Sequence, residues 1–268
     1  MTTSVASLSV PRMPRWLVYQ RDLLWELVVR DLKLRYKRSY LGIAWTLVNP
    51  LAQLAVYTFV FTVLFNNPAK HFMVFLFIGI TSWTWTQSAI LEGTTAILRN
   101  RDLIRQPGFP SRLLPQVTVG THLLHFLLTF PITFAMIYFS WDLRVHPSVL
   151  WLPLIILVQY AFTAAFSVLA ACIHVNFRDT QYLLSVFLML AFFLTPIIYE
   201  IDMVPARYRW AYHLNPMTYI IDAYRAVLIR GQMPDLESLG VVTLLSLVLL
   251  RVAYVFFRRT SATFVEES

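Results

Sequence analysis

The chain has 268 residues, of which 58% are hydrophobic, 15% aromatic and only 13% charged, and its mean hydropathy is +0.61. That is too apolar for a soluble domain of this length. The formal charge of +8 has no large soluble surface to sit on, which excludes nucleic-acid binding, and the single Cys172 excludes an internal disulfide or a thiolate metal cluster.

Residues 1–20 lack the apolar stretch of a signal peptide and read as a flexible cytoplasmic terminus. Over 21–38 a helical wheel gathers Asp22, Glu26, Arg30, Lys33 and Lys37 on one face, opposite Leu24, Leu27, Val28, Leu32 and Leu34. Such a helix lies flat at the headgroup boundary with its basic side toward phosphates. Asp31 and Arg35 interrupt the apolar arc at i, i+4. They either pair with each other or contact a partner subunit.

Six apolar segments follow, at 41–65, 72–91, 113–139, 149–173, 181–198 and 239–257. Each approaches the roughly 20 residues that span a hydrocarbon core, and each satisfies its own backbone as a helix. Period-two alternation is absent, which argues against a β-barrel. On the first segment Asn49, Gln53, Tyr57, Phe61 and Phe65 recur every four residues. Trp83 and Gln87 continue that character on the second, and Tyr182, Ser185, Phe192 and Tyr199 on the fifth and its exit. Amides and aromatic faces suit sugars, whose hydroxyls need hydrogen bonds and whose C–H faces stack on rings. Interfacial belts and lipid-facing Phe are the plainer account. Mid-segment Gln53 and Tyr57 fit a belt poorly, so the stripe reads as a pore wall.

Residues 92–112 read as a helix leaving the membrane and halted by Pro107, Gly108 and Pro110. Asn100, Arg101, Asp102 and Arg105 surround a small apolar patch of Leu103 and Ile104. A short helix of this kind fits a cleft on another protein, although composition alone favours a plain basic loop. His122 and His125, at i, i+3, have no third ligand and read as packed residues rather than a metal site. In 199–238, Asn215 is a good cap, Pro216 a good first helical residue and Gly231 a good stop. The helix between them carries Asp222 and Arg225. At roughly 14 residues it is too short to span, so it is surface-lying or re-entrant.

Fifteen Lys and Arg fall on the side of residues 1–40, 92–112, 174–180 and 258–268, against six on the other. The excess places both termini in the cytoplasm. No Gly-x-x-x-x-Gly-Lys-Ser/Thr loop, His-Glu-x-x-His or Gly-x-Ser-x-Gly occurs. Apart from Arg251, the segments as drawn hold no ionisable Asp, Glu, Lys or Arg, which argues against ion-coupled transport. A membrane glycosyl- or acyltransferase would need an acid–base pair, and Asp142 with His146 is the one candidate.

Three stretches resemble a known family. They are Arg30-Asp31-Leu32-Lys33-Leu34-Arg35-Tyr36-Lys37-Arg38-Ser39-Tyr40-Leu41-Gly42 with Trp45 and Asn49-Pro50; Asn100 and Leu103-Ile104-Arg105 with Phe109-Pro110 and Leu113-Leu114-Pro115; and Thr195-Pro196-Ile197-Ile198-Tyr199 with Pro205, Asn215-Pro216 and Tyr224-Arg225-Ala226. Together they resemble the ABC-2 type permeases, in the branch that exports lipid-linked O-antigen, capsule and teichoic acid. The resemblance implies an all-α membrane protein of the bacterial inner membrane. It implies a homodimer of six-helix subunits bound to two copies of an ATPase subunit that binds the ATP and Mg. Helix 21–38 would be the interface helix, 39–257 the transmembrane domain and 258–268 a cytoplasmic tail. Residues 97–105 would be the coupling helix, with Asn100, Arg101, Asp102, Leu103, Ile104 and Arg105 as its contacts. The short helices within 199–230, with Asn215, Pro216, Asp222 and Arg225, would form the outer gate. Gln106-Pro107-Gly108 departs from the family's usual basic residue and bulky pair, which implies an early end to the coupling helix. The substrate expected is an undecaprenyl-linked glycan, with Arg30, Lys33, Arg35, Lys37 and Arg38 on its pyrophosphate. Export of small hydrophobic molecules is the alternative within the family.

Overall fold

The computed structural model describes residues 15–64, 71–140 and 142–260, and among them every regular element is helical. Helix α1 (Arg15–Arg35) precedes a short 3₁₀ turn and α2 (Trp45–Phe59), which continues as a π-helical turn to Leu64. Helices α3 (Phe72–Arg99) and α4 (Arg101–Ile104) are followed by α5 (Leu113–Leu127) and α6 (Phe130–Phe139). The remainder is α7 (Leu152–Asn176), α8 (Thr180–Phe193), α9 (Ala206–His213), α10 (Pro216–Leu228) and α11 (Leu236–Thr260). Phe65 of the first-segment stripe, residues 1–14 and most of the C-terminal tail lie outside the described residues.

Among the described residues, five helical stretches are long and apolar enough to cross a membrane. The α5–α6 break falls at Leu128 and Thr129, just before Pro131, whose ring and missing N–H disfavour an uninterrupted helix. The expected fifth crossing, 181–198, is shorter than drawn. Helix α8 has 14 residues and ends at Phe193. At about 1.5 Å per residue it covers only about 21 Å. Pro196 cannot continue it, and the chain turns back through α9 and α10.

Helix α3 is the central post, packing against α2, α5, α7 and α8, while α11 lies along α7. Leu76, Phe77, Ile80 and Trp85 of α3 meet Ile155, Ile197, Ile220 and Tyr224 in one continuous core. Gln159 is fully buried between α3 and α7 with its amide satisfied: Nε2 donates to Ser82 O at 2.8 Å and Thr86 Oγ1 at 2.9 Å. Gly93 permits this closeness, because a Cβ there would stand 1.8 Å from Ser167 Oγ. Helix α10 is buried along most of its length among α3, α7 and α11, so it dips into the bundle rather than lying on its surface. Asp235 caps α11. Its carboxylate accepts from the Ser238 hydroxyl at 2.6 Å and from backbone N–H groups of Glu237 and Ser238, which hold it below the usual carboxylate range. The end of the bundle carrying α1 and α4 is called basal below, and the end carrying α9 and α10 distal.

Candidate functional site

The basal end is organised by a carboxylate that the sequence reading placed just outside a segment. Helix α3 runs without interruption past residue 91 to Arg99, so Glu92 lies within it. Arg35, the last residue of α1, grips both Glu92 oxygens: Nη1 donates to Oε1 at 2.9 Å and Nη2 to Oε2. Asp31 Oδ2 stands 3.4 Å from the same guanidinium. His122 of α5 brings Nε2 to 3.1 Å from Glu92 Oε2, off the line of a good hydrogen bond. Burial opposes the charge on Arg35, but the hydrogen bond and charge of Glu92, with that of Asp31, outweigh it and hold the guanidinium above its usual range. Next to this ion cluster, Tyr36 Oη bonds Thr46 Oγ1 at 2.6 Å and meets His125 Nε2 at 3.1 Å. The polar node thus joins the end of α1, the start of α2, α3 and α5 around a cavity of about 240 Å³ that Asn49 and Trp85 also line.

This explains the two charges on the apolar arc. At about 100° per residue, Asp31 and Arg35 fall between Leu27 and Val28, the residues α1 buries against Val117 of α5. They point into their own subunit, toward Glu92, and the i, i+4 contact of Arg35 with Asp31 is the first of the two alternatives that the spacing left open. The rest of the wheel changes in one place: Leu34 is 59% exposed and Leu23 packs instead. Arg30, Lys33 and Lys37 line a shallow groove on the opposite face with Trp25, Val29 and Leu34 and with one carboxylate, Glu26, against the three cations. Arg38 follows the helix in a left-handed turn with φ +67°. Of the five residues expected on a pyrophosphate, Arg35 is therefore the one already engaged by carboxylates.

The stretch 97–105 expected as one coupling helix is divided: residues 97–99 belong to α3, Asn100 breaks the helix, and α4 spans only Arg101–Ile104. Its apolar patch is turned inward and divided. Leu103 packs with Leu27, Val28 and Phe109 against α5, whereas Ile104 packs with Ile97, Ala171 and Phe257. Asn100 bonds back to Ala96 O at 2.9 Å, and Arg101 is half-buried. Asp102 and Arg105 remain exposed. The patch anchors α4, and the surface left for another protein is polar.

The expected wall residues fall into two groups. Tyr57 stacks on Phe192 at 6.3 Å, and Trp83 meets the same ring edge-on at 6.2 Å while bonding Gln87 Oε1 at 3.0 Å. Trp83 is only 3% exposed, so it backs this cluster rather than facing open space. Phe61 packs on Phe72. Asn49 is exposed and Gln53 half-exposed on α2, and Tyr182 (71% exposed) and Ser185 lie on the outward face of α8.

At the distal end, Arg225 is 4% exposed. Its guanidinium donates to Pro196 O at 2.7 Å and Ile197 O at 2.8 Å, and lies 3.3 Å from the Phe75 ring centre. These carbonyls are released where α8 ends. Gly79 makes the room, because a Cβ there would come within 3.0 Å of Arg225 Nη2 and of Ile197 O. Asp222 does not pair with Arg225. It takes both terminal nitrogens of Arg230, each at 2.9 Å. Asn215 caps α10 as expected, accepting from Met217 N at 3.0 Å, and donates to Thr195 Oγ1 at 2.8 Å. Pro216 opens α10, and Tyr199 Oη bonds Phe193 O and Tyr212 Oη. His146 is packed against Gly231, where a Cβ would stand 2.5 Å from its ring.

No three metal-ligating side chains converge among the described residues. His122 and His125 meet edge to face at 5.3 Å within the node. The sequence signals for the node were incomplete: Arg35 and the two histidines stood out, but Glu92 was hidden by ending the second segment at residue 91.

The ABC-2 type transporter family model matches residues 22–229, the stretch that contains the node, α4 and the distal cap. The O-antigen export system permease protein RfbA of Myxococcus xanthus is 35% identical over 259 residues, covering 95% of this chain and 98% of that protein. A protein of the same name from Klebsiella pneumoniae is 30% identical over 92% of this chain and 95% of its own length. The polysialic acid transport protein KpsM of Escherichia coli is 23% identical over 87% of this chain and 91% of its own. A multi-pass helical bundle matched over this extent is a transport subunit, and the chain belongs to the ABC-2 type transporter family.

Proposed function

We propose that this chain is the permease of a polysaccharide exporter, most specifically of lipid-linked O-antigen, working as a homodimer with two ATPase subunits in a bacterial inner membrane. The observation that carries the mechanism is the anchoring of α4. With Leu103 and Ile104 locked into two clusters, a push on the exposed Asp102 and Arg105 moves α3 and α11 directly, and moves α1 through Leu103. Glu92 adds a second link between α3 and α1 through Arg35. ATP bound by the partner supplies the push. The 14-residue α8 and exposed α2 then form a wall that shifts as α1 and α3 move.

The lipid pyrophosphate meets Arg30, Lys33 and Lys37 in the α1 groove, where charge-assisted bonds hold an anion at the headgroup level. Asn49, Gln53, Tyr57 and Phe192 offer amide and ring surface to the passing glycan. Weak, repeated contacts suit processive passage. Residues 194–228 act as the distal gate, held by Arg225. The names of the relatives at 30–35% identity favour O-antigen over small hydrophobic cargo.

The test is co-purification with an ATPase subunit encoded nearby, followed by ATP turnover with and without this chain and by surface O-antigen in a permease-deleted strain. A stable complex whose turnover responds to the chain, with export restored, is expected. Failure to bind any ATPase subunit in a well-folded preparation would remove the transporter mechanism.

A further inference from the structure

At the basal end, one arginine bonds a tyrosine whose hollows two further arginines help to line. Arg112, at the start of α5, donates through Nη1 to Tyr254 Oη of α11 at 3.2 Å, and its guanidinium carbon lies 5.5 Å from that ring centre. Arg251 and Arg258 stand one turn before and one turn after Tyr254 on the same helix. Two hollows share Arg251 and Tyr254. One, of about 440 Å³, lies between α1, α5, α7 and α11, with Gln20, Arg112, Gln116 and Arg251 around apolar Leu113, Val168 and Leu247. The other, of about 320 Å³, is bounded by Arg251, Val255 and Arg258. Among the described residues, Arg112, Gln116 and Arg251 are polar side chains that meet the apolar wall of the larger hollow from the α5 and α11 sides.

We infer that this double hollow is a binding site for the phosphate headgroup of an anionic phospholipid, separate from the α1 groove. The chemistry is matched at both levels. Guanidinium groups present paired donors to phosphate oxygens, and the apolar wall continues along the spanning helices where acyl chains run. The position is the headgroup level of the leaflet that the Lys and Arg excess assigns to the cytoplasm, where anionic lipids meet basic pockets between helices. Tyr254 pre-orients Arg112, so part of the ordering cost of binding is already met. An occupant here clamps the start of α5 to the end of α11. Those are the elements that flank the α4 anchor, since Phe257 packs with Ile104.

The same phosphate chemistry is carried by polyprenyl phosphate, and the experiment separates the two lipids. The full-length chain, purified with its ATPase partner, is placed in phosphatidylcholine nanodiscs with stepwise phosphatidylglycerol. Native mass spectrometry then counts retained lipids. Wild type is expected to retain phosphatidylglycerol over phosphatidylcholine. Arg112→Gln with Arg251→Gln should lose retention by about thirty-fold, at roughly five-fold per basic residue. Arg112→Lys with Arg251→Lys should lose less than the Gln pair, because the charge remains and only the paired donors are lost. If the Gln pair does not fold, Arg251→Gln alone, at an exposed position, should still show about a five-fold loss. Equal retention of phosphatidylglycerol by wild type and the Gln variants, or equal retention of phosphatidylcholine, would overturn the site. So would displacement of phosphatidylglycerol by equimolar undecaprenyl phosphate, which would assign the hollow to the carrier lipid.

Discussion

Replacing Arg225 by Met is the sharpest test of how the distal cap is held. The side chain is 4% exposed and makes two short charge-assisted bonds, to Pro196 O at 2.7 Å and Ile197 O at 2.8 Å. A third contact, to Phe75 O at 3.4 Å, is long. Hydrogen bonds to charged groups contribute about 1.5–3 kcal/mol each, so the two short ones amount to about 3–6 kcal/mol. Methionine fills similar volume and recovers part of this by apolar burial, and Arg225 Nε gives up nothing because it has no partner. A net loss of about 3 kcal/mol follows. For a chain of this size that lowers the melting temperature by about 6–12 °C. Arg225→Lys should fall between, since a point charge on a flexible stem cannot serve two carbonyls and the Phe75 face together. Scanning fluorimetry on the purified complex reads the melting point, and surface glycan reads export. A Met variant that melts with wild type would refute the reasoning, because the bend carbonyls would then have other partners.

Three further outcomes are expected. Glu92→Gln and Arg35→Gln should each cut ATP-driven export by about ten-fold with the ATPase subunit still bound, and the double variant should be no worse; losses that multiply would mean the two residues do not act as one link. Gln53→Leu with Tyr57→Leu should reduce export and leave assembly intact, and unchanged export would remove α2 from the glycan path. Asp235→Ala should expose the first turn of α11, with amide exchange at Glu237 and Ser238 about five-fold faster, from a cap contribution of about 1 kcal/mol. Because the folded carboxyl is held below its usual range, the cap is fully present above the ordinary Asp value and is lost only as pH falls through the lowered one. Protection that drops between pH 8 and 6 would contradict that sign.

Most of the helical layout was legible because apolar length and punctuation are local properties. Asn215, Pro216 and Gly231 bounded α10 to within a few residues, since capping and left-handed termination depend on adjacent backbone alone. The polar face of α1 followed from periodicity. The polar node was not legible. Arg35 and Glu92 are 57 residues apart, and nothing local distinguishes a carboxylate paired within a long helix from one that begins a loop. The pairing of Asp222 with Arg230 rather than Arg225 was hidden for the same reason: i, i+3 spacing permits a contact but does not exclude a better one.

Hydropathy, caps and breakers in the sequence were enough to establish a helical membrane protein, the sites of its bends and the family it resembles. These depend on each segment's transfer into lipid and on backbone groups that must be satisfied within it. Only the tertiary structure decided which charges survive inside the bundle. A desolvated ion is tolerated where specific partners surround it, and those partners come from distant parts of the chain: Glu92 for the half-buried Arg35 side chain, and the carbonyls freed at the end of α8 for the buried Arg225. It also decided that Leu103 and Ile104 face inward, because the same apolar patch serves equally well as an anchor or as an interface until its neighbours are in place.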